Sequence, residues 1–294
     1  MTFGVIACTN RSFFGFSSFR FRRLPGTGVG SCRRGSITMN DVYPCSDDSF
    51  EWIRSVREEL LSRDKSDWKS FVSDLIPKQF EAYAKVLHQI DARYENIDNP
   101  LTEAEIAILK IPACTKLRSF VERLRKEGRG PRIRWRELAH LYGVPFQAEI
   151  CHEWFRASMD EPGCWPRFLC GPDDGNLNVK ELSAMLSVLR PFAKNQDSFF
   201  RFSEIAFIAT DKPIHFCGSL DELSTFLTDG KYQFTPEYWW PADHSWCVCS
   251  DYDLAFTIVA GSKELVSGVL NDATLEAIQV SPQTRVDSNA PMPR

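Results

Sequence analysis

The feature that most limits the fold is a change of hydrophobic period along the chain. Up to about residue 160 the apolar residues return every three or four positions, as on one face of a helix. Beyond a stretch rich in Gly, Pro and Asp between Pro162 and Asn178 they come mainly as short β-type runs. Such a pattern predicts an α+β chain, with a helical part first and a mainly antiparallel sheet with interspersed helices after it.

The helical part, taken as 41–160, starts at Ser46, Asp47 or Asp48 as cap, with Trp52, Ile53, Val56 and Leu60 on one stripe to Arg63. Trp68, Phe71, Val72 and Leu75 repeat the spacing. Phe80 to Ile90 fits both periods, and the alternation Phe80, Ala82, Ala84, Val86 favours a strand. Thr102 and Glu105 form a capping box. Leu117, Phe120, Val121 and Leu124 mark a helix from Pro112 to Gly128, and Trp135, Leu138, Ala139 and Tyr142 another that stops at Gly143.

The second part, 161–281, is expected to pack with the first as one unit. It holds a helix over Val179–Phe192 and helices over Ser219–Leu227 and Ser262–Leu270. Strands are expected over Phe199–Ile208, Ile214–Cys217, Trp246–Ser250, Phe256–Ala260 and Leu275–Val280. Residues 282–294, with Pro282, Pro291 and Pro293, are expected to be disordered.

Charge divides the chain. Residues 1–40 hold six arginines and no acid, and the remaining 254 residues carry 29 basic against 39 acidic side chains. The tail reads as a disordered segment, as translation truly starting at Met39, or as a targeting segment. A twin-arginine export signal fails, because Leu24-Pro25-Gly26 follows Arg22-Arg23 where an apolar stretch is needed. The acidic body argues against a phosphate-binding footprint and hence against nucleic acid. No apolar run approaches the roughly 20 residues that cross a bilayer, so no membrane partner is expected. Ten cysteines without a Cys-x-x-Cys read as free thiols in a reducing, cytoplasmic location.

The densest chemistry lies between Tyr238 and Asp253. On a strand from Trp246, the residues Cys247, Cys249, Asp251 and Asp253 share one face, with Trp246, Val248, Ser250 and Tyr252 on the other. Two thiols with His244 could suit a soft metal, but residues two apart on a strand are separated by about 7 Å, too far for one ion at ~2.3 Å. A buried strand with acids at its exposed end is the stronger reading, and no metal or cofactor is expected. Trp239, Trp240 and Trp246 with Asp243 and His244 could line a partner-binding patch, although core packing outweighs it. Asp173-Asp174-Gly175-Asn176 lacks the glutamate that closes a calcium loop, Ala184 standing at that position, and reads as a plain turn. His152-Glu153 lacks the second histidine of a helical zinc site. No catalytic residue is singled out.

The run Trp239 to Val248, followed by Asp253-Leu254, Thr257, Val259, Gly261-Ser262 and Leu275-Glu276-Ala277, resembles a family of bacterial proteins of uncharacterised activity. Weaker matches, Phe80 to His88, Trp135 to Ala139 and Gly175-Asn176-Leu177, extend the resemblance to about residues 74–281. The sequence departs from that family at His244, where an arginine is usual, and over Ser203–Asp211, where an aromatic-glycine strand is usual. The resemblance implies a bacterial, cytosolic origin and a coherent body, and carries no activity.

The expectation is a non-enzymatic, intracellular protein that binds another protein, in the manner of acidic toxin-neutralising immunity proteins. The alternative is an enzyme using Asp243, His244 and Asp251 in a cleft.

Overall fold

The structure, a computed structural model, describes residues 43–61, 69–98, 115–158, 166, 168–202, 214–224 and 234–293. Residues 40–294 form one compact unit. The basic tail, Trp68, the Thr102–Glu105 box, and the distal parts of the runs after Phe202 and Ser224 lie outside the described residues.

The fold is α+β, built on an antiparallel sheet that has eight strands among the described residues. Its strands are β1 (Tyr43–Pro44), β2 (Ala82–Leu87), β6 (Ser198–Phe202), β7 (Ile214–Gly218), β8 (Tyr238–Pro241), β9 (Cys247–Cys249), β10 (Phe256–Gly261) and β11 (Ala277–Val280). The order is β1-β7-β6-β8-β9-β10-β2-β11. A small second sheet joins β3 (Ile90–Ala92) to β4 (Arg132–Ile133) and β5 (Leu169–Cys170). β5 lies in the Gly/Pro/Asp-rich middle, so that stretch carries structure of its own.

Antiparallel sheets often leave one face in water. Here both are covered. On one side Tyr83, Leu87, Trp240, Cys247, Cys249, Ile258 and Ala260 join a core with helices α1 (Glu51–Leu61), α4 (Thr115–Lys126) and α5 (Trp135–Tyr142). On the other, Ala82, Ala84, Val86, Trp239, Trp246, Val248 and Val259 pack on α7 (Val179–Leu189) and α8 (Lys263–Asn271). The alternation of β2 sorts its side chains between these cores, and every residue of β2 and β10 is buried.

Local chemistry sets the helix ends. Asn178 accepts from the N–H groups of Lys180 and Glu181 and caps α7, while Ser262 accepts from Leu265 and caps α8. Gly143 closes α5 in the left-handed region at φ 67°. α1 begins at Glu51, after a 3-10 turn over Asp47–Phe50 that Ser46 caps.

Two expectations are corrected. Among the described residues the second amphipathic stripe yields the single turn α2 (Val72–Leu75), because Phe71 instead bridges Arg285 in antiparallel fashion. The C-terminal segment, expected to be disordered, is tied down. Val72 N–H donates to Thr284, Val286 N–H to Ser70 and the Trp154 indole to Ala290 O, while Val286 and Ala290 are buried. Proline prevents regular structure there, not packing. Among the described residues no helix is long and apolar enough to cross a membrane.

Candidate functional site

The tryptophans do not form a surface patch. Trp239, Trp240 and Trp246 are fully buried, because β8 is a central strand whose register pairs Trp239 with Phe200 and Val248, and Trp240 with Phe199. Trp239 meets Trp246 edge-on at 6.3 Å on one face of the sheet. Trp240 lies on the other face, edge-on to Phe50 at 4.8 Å and to Trp52 at 5.3 Å. As binding residues these three are corrected to core.

Asp243 and His244 sit in the turn between β8 and β9. His244 takes φ 53° and stacks on Trp52 at 4.2 Å. Burial lowers its imidazole and Asp243 draws it back up. Asp243 accepts from Ser245 N–H at 3.0 Å and pairs with Lys194 at 3.1 Å. Burial alone would raise this carboxyl, but hydrogen bonds from Ser245, Gln196 and Lys194 outweigh it and hold the carboxyl far below the usual range. Asp251 stands at the opposite end of β9, buried, with Oδ1 accepting from Asp253 N–H at 3.1 Å. Asp243, His244 and Asp251 therefore share no cleft. Cys247 and Cys249 face the first core, and burial pushes the Cys247 thiol well up, away from the thiolate a soft metal requires.

A different set of groups converges. Gly175 N–H donates to Leu254 O at 2.9 Å, Thr235 N–H to Asn176 Oδ1 at 3.1 Å and Thr235 Oγ1 to Gly175 O at 3.0 Å. The first bond binds the turn Asp173–Asn176 to the turn Asp251–Leu254, and the other two tie it to Thr235. The start of α6 (His152–Ser158) adjoins them, with His152 Nε2 2.8 Å from Glu153 Oε1. Asp173, Asp174 and Asp253 are exposed, and Tyr252 beside them is a large apolar side chain left 37% exposed.

The carboxylates feel one another. Partial burial raises Asp174, and Glu153, Asp253 and Asp173 add to the rise while His152 opposes it. Asp173 is raised by burial and by Asp91. Glu153, Asp253 and Asp173 thus crowd round Asp174 with His152 the one opposing cation, an arrangement an incoming cation relieves.

Lys85 supports this surface from within. It is fully buried, donates to Ala148 O at 3.0 Å and Ile150 O at 2.6 Å, and lies 4.6 Å from the Phe256 ring centre. Burial lowers it to about 8, against the pull of Cys151, Glu149 and Glu153. The neighbouring Cys151 thiol is pushed up to about 12, chiefly by burial. Both groups position the segment leading into α6.

The cleft between Cys151, Glu153, Asp253 and Phe256 measures about 20 Å³, room for about one water and no substrate. A wider depression of about 360 Å³ beside Trp52, Ser73 and Lys78 gathers no acid–base pair. The Asp-Asp-Gly-Asn turn was legible as acidic, but its meeting with Asp251–Asp253, some 78 residues away, left no local signal.

Fold and site together define an α+β protein with a doubly covered sheet and an acidic, aromatic-centred loop surface. No family model, curated protein or solved structure matches the chain.

Proposed function

We propose that this chain is a non-enzymatic protein-binding protein of the bacterial cytoplasm, immunity-like in its logic, whose acidic face captures a partner with a lysine- or arginine-rich surface. The observation that carries this reading is the convergence of Glu153, Asp253 and Asp173 on Asp174, whose turn packs at Gly175 against the backbone of the exposed Tyr252. Opposite charge steers association and fixes register, and an aromatic anchor supplies desolvated area. The excess of acids in the body supports the same reading. A protein partner also suits the cleft beside Asp253, which holds about a single water, better than a substrate does.

The test is capture of cationic proteins from a bacterial lysate on the immobilised full chain, with elution by rising salt. The variant Asp173→Asn/Asp174→Asn/Asp253→Asn keeps shape and removes three charges, and should reduce capture by about tenfold or more. Equal capture by the variant, or capture indifferent to salt, overturns the reading.

A further inference from the structure

The N-terminal edge of the sheet gathers reactive side chains that the acidic face does not use. β1 pairs with β7 in the register Tyr43↔Cys217 and Pro44↔Phe216. The N–H of Cys45 donates to His215 O at 3.1 Å, so the ladder continues one residue past the strand. Alternation then puts Tyr43, Cys45, His215 and Cys217 on one face. Cys45 and Cys217 are diagonal neighbours across the pair, and Tyr43 stands directly opposite Cys217 in the same cluster. The Tyr43 hydroxyl also donates to Asp197 Oδ2 at 3.0 Å.

Both cysteines are free thiols, Cys45 partly exposed and Cys217 buried. Diagonal residues lie about 7–8 Å apart at Cα, and a disulfide spans up to about 6.8 Å. A small slide of β1, a strand of two residues that among the described residues is paired on one side only, would close that gap. We propose that Cys45 and Cys217 form a reversible, peroxide-sensitive disulfide that fastens β1 to β7.

The chemistry balances. The Cys45 thiolate attacks a peroxide oxygen, the S–O bond forms as the O–O bond breaks, and the departing hydroxide takes up a proton as water. The Cys217 thiolate then attacks the Cys45 sulfur, the S–S bond forms as the S–O bond breaks, and a second water leaves. Two thiols give up two electrons and one peroxide accepts them. Exposure sets the order, since Cys45 reaches solvent. Burial pushes the Cys217 thiol up, and hydrogen bonds from Tyr43 and Cys45 draw it partly back. The buried Cys151 and Cys247, both pushed up by burial, compete poorly.

The experiment treats the folded full chain with a few equivalents of hydrogen peroxide, blocks the remaining thiols with iodoacetamide, and maps peptides without reductant. The expected product is a Cys45–Cys217 linked peptide that is lost on adding dithiothreitol, lost in Cys45→Ser and in Cys217→Ser, and retained in Cys170→Ser. Cys217 is buried, so circular dichroism must show its variant folded; Cys45→Ser, at the more open position, carries the test by itself otherwise. Recovery of Cys45 and Cys217 as alkylated thiols, oxidation of Cys45 without linkage, or its linkage to any other cysteine overturns the proposal.

Discussion

Gly175 lies so close beneath Tyr252 that a Cβ built on it would sit 2.5 Å from the Tyr252 Cα. The two turns of the acidic face thus touch backbone to backbone, with the Gly175–Leu254 hydrogen bond beside the contact. Only glycine allows both the approach and the φ of 64° that Gly175 adopts.

Gly175→Ala is therefore expected to destabilise the protein by about 2 kcal/mol or more, since it adds both a clash with main chain and a strained backbone. Urea unfolding reads the loss. Partner capture should weaken too, because Asp173 and Asp174 ride on the displaced turn.

Lys85 gives stability a slope in alkaline solution. Its folded value, lowered to about 8 by burial, lies below the ordinary 10.5. The unfolded chain holds that proton longer, so stability should rise between about pH 8 and 10.5 and be lost as pH falls through 8. Taken as an upper bound, the rise is about 3 kcal/mol at roughly 1.4 kcal/mol per unit. Lys85→Met should flatten that limb, measured as urea midpoint against pH.

His88 and Glu181 oppose each other at lower pH. Burial lowers His88, whose Nε2 meets Thr257 Oγ1 at 2.9 Å, to about 4, so its contribution is lost as pH falls from 6.5 through 4. Burial raises Glu181 to about 7 against the pull of Arg132, so its contribution is lost as pH rises from 4.5 through 7. Midpoints between pH 4.5 and 6.5 should change little in the parent, fall towards acid in Glu181→Gln, and fall towards neutral pH in His88→Gln.

The indole N–H of Trp239 has no hydrogen-bond partner among the described residues. Trp239→Phe removes that unsatisfied donor while keeping an aromatic ring, and should cost under about 2 kcal/mol. Trp239→Ala leaves a cavity and should cost about 3–5 kcal/mol. Thermal melts of the pair check the difference, and neither should alter capture while folded.

β-favouring residue types made Phe256–Gly261 legible as a strand, and alternation decided the ambiguous Phe80 to Ile90, whereas Tyr238–Pro241 carried no strand pattern of its own. Pattern could not assign the tryptophans. Large amphipathic rings serve surfaces and cores alike, and only the central position of β8 between β6 and β9 decides for the core. The two halves of the acidic face were each visible as acid-rich turns, but a backbone bond between Gly175 and Leu254 has no trace in side-chain pattern. Proline at positions 282, 291 and 293 suggested fraying, and the buried Val286 and Ala290 show that a few apolar contacts suffice to hold an irregular strap.

β2 lies between β10 and β11, strands separated from it by well over 150 residues of chain. While the chain is being made, an early strand with Lys85 at its middle has no neighbour on either side until the last quarter emerges. Folding of the sheet is therefore gated by synthesis of its end, and the high contact order of these pairings makes that closing step the slow one.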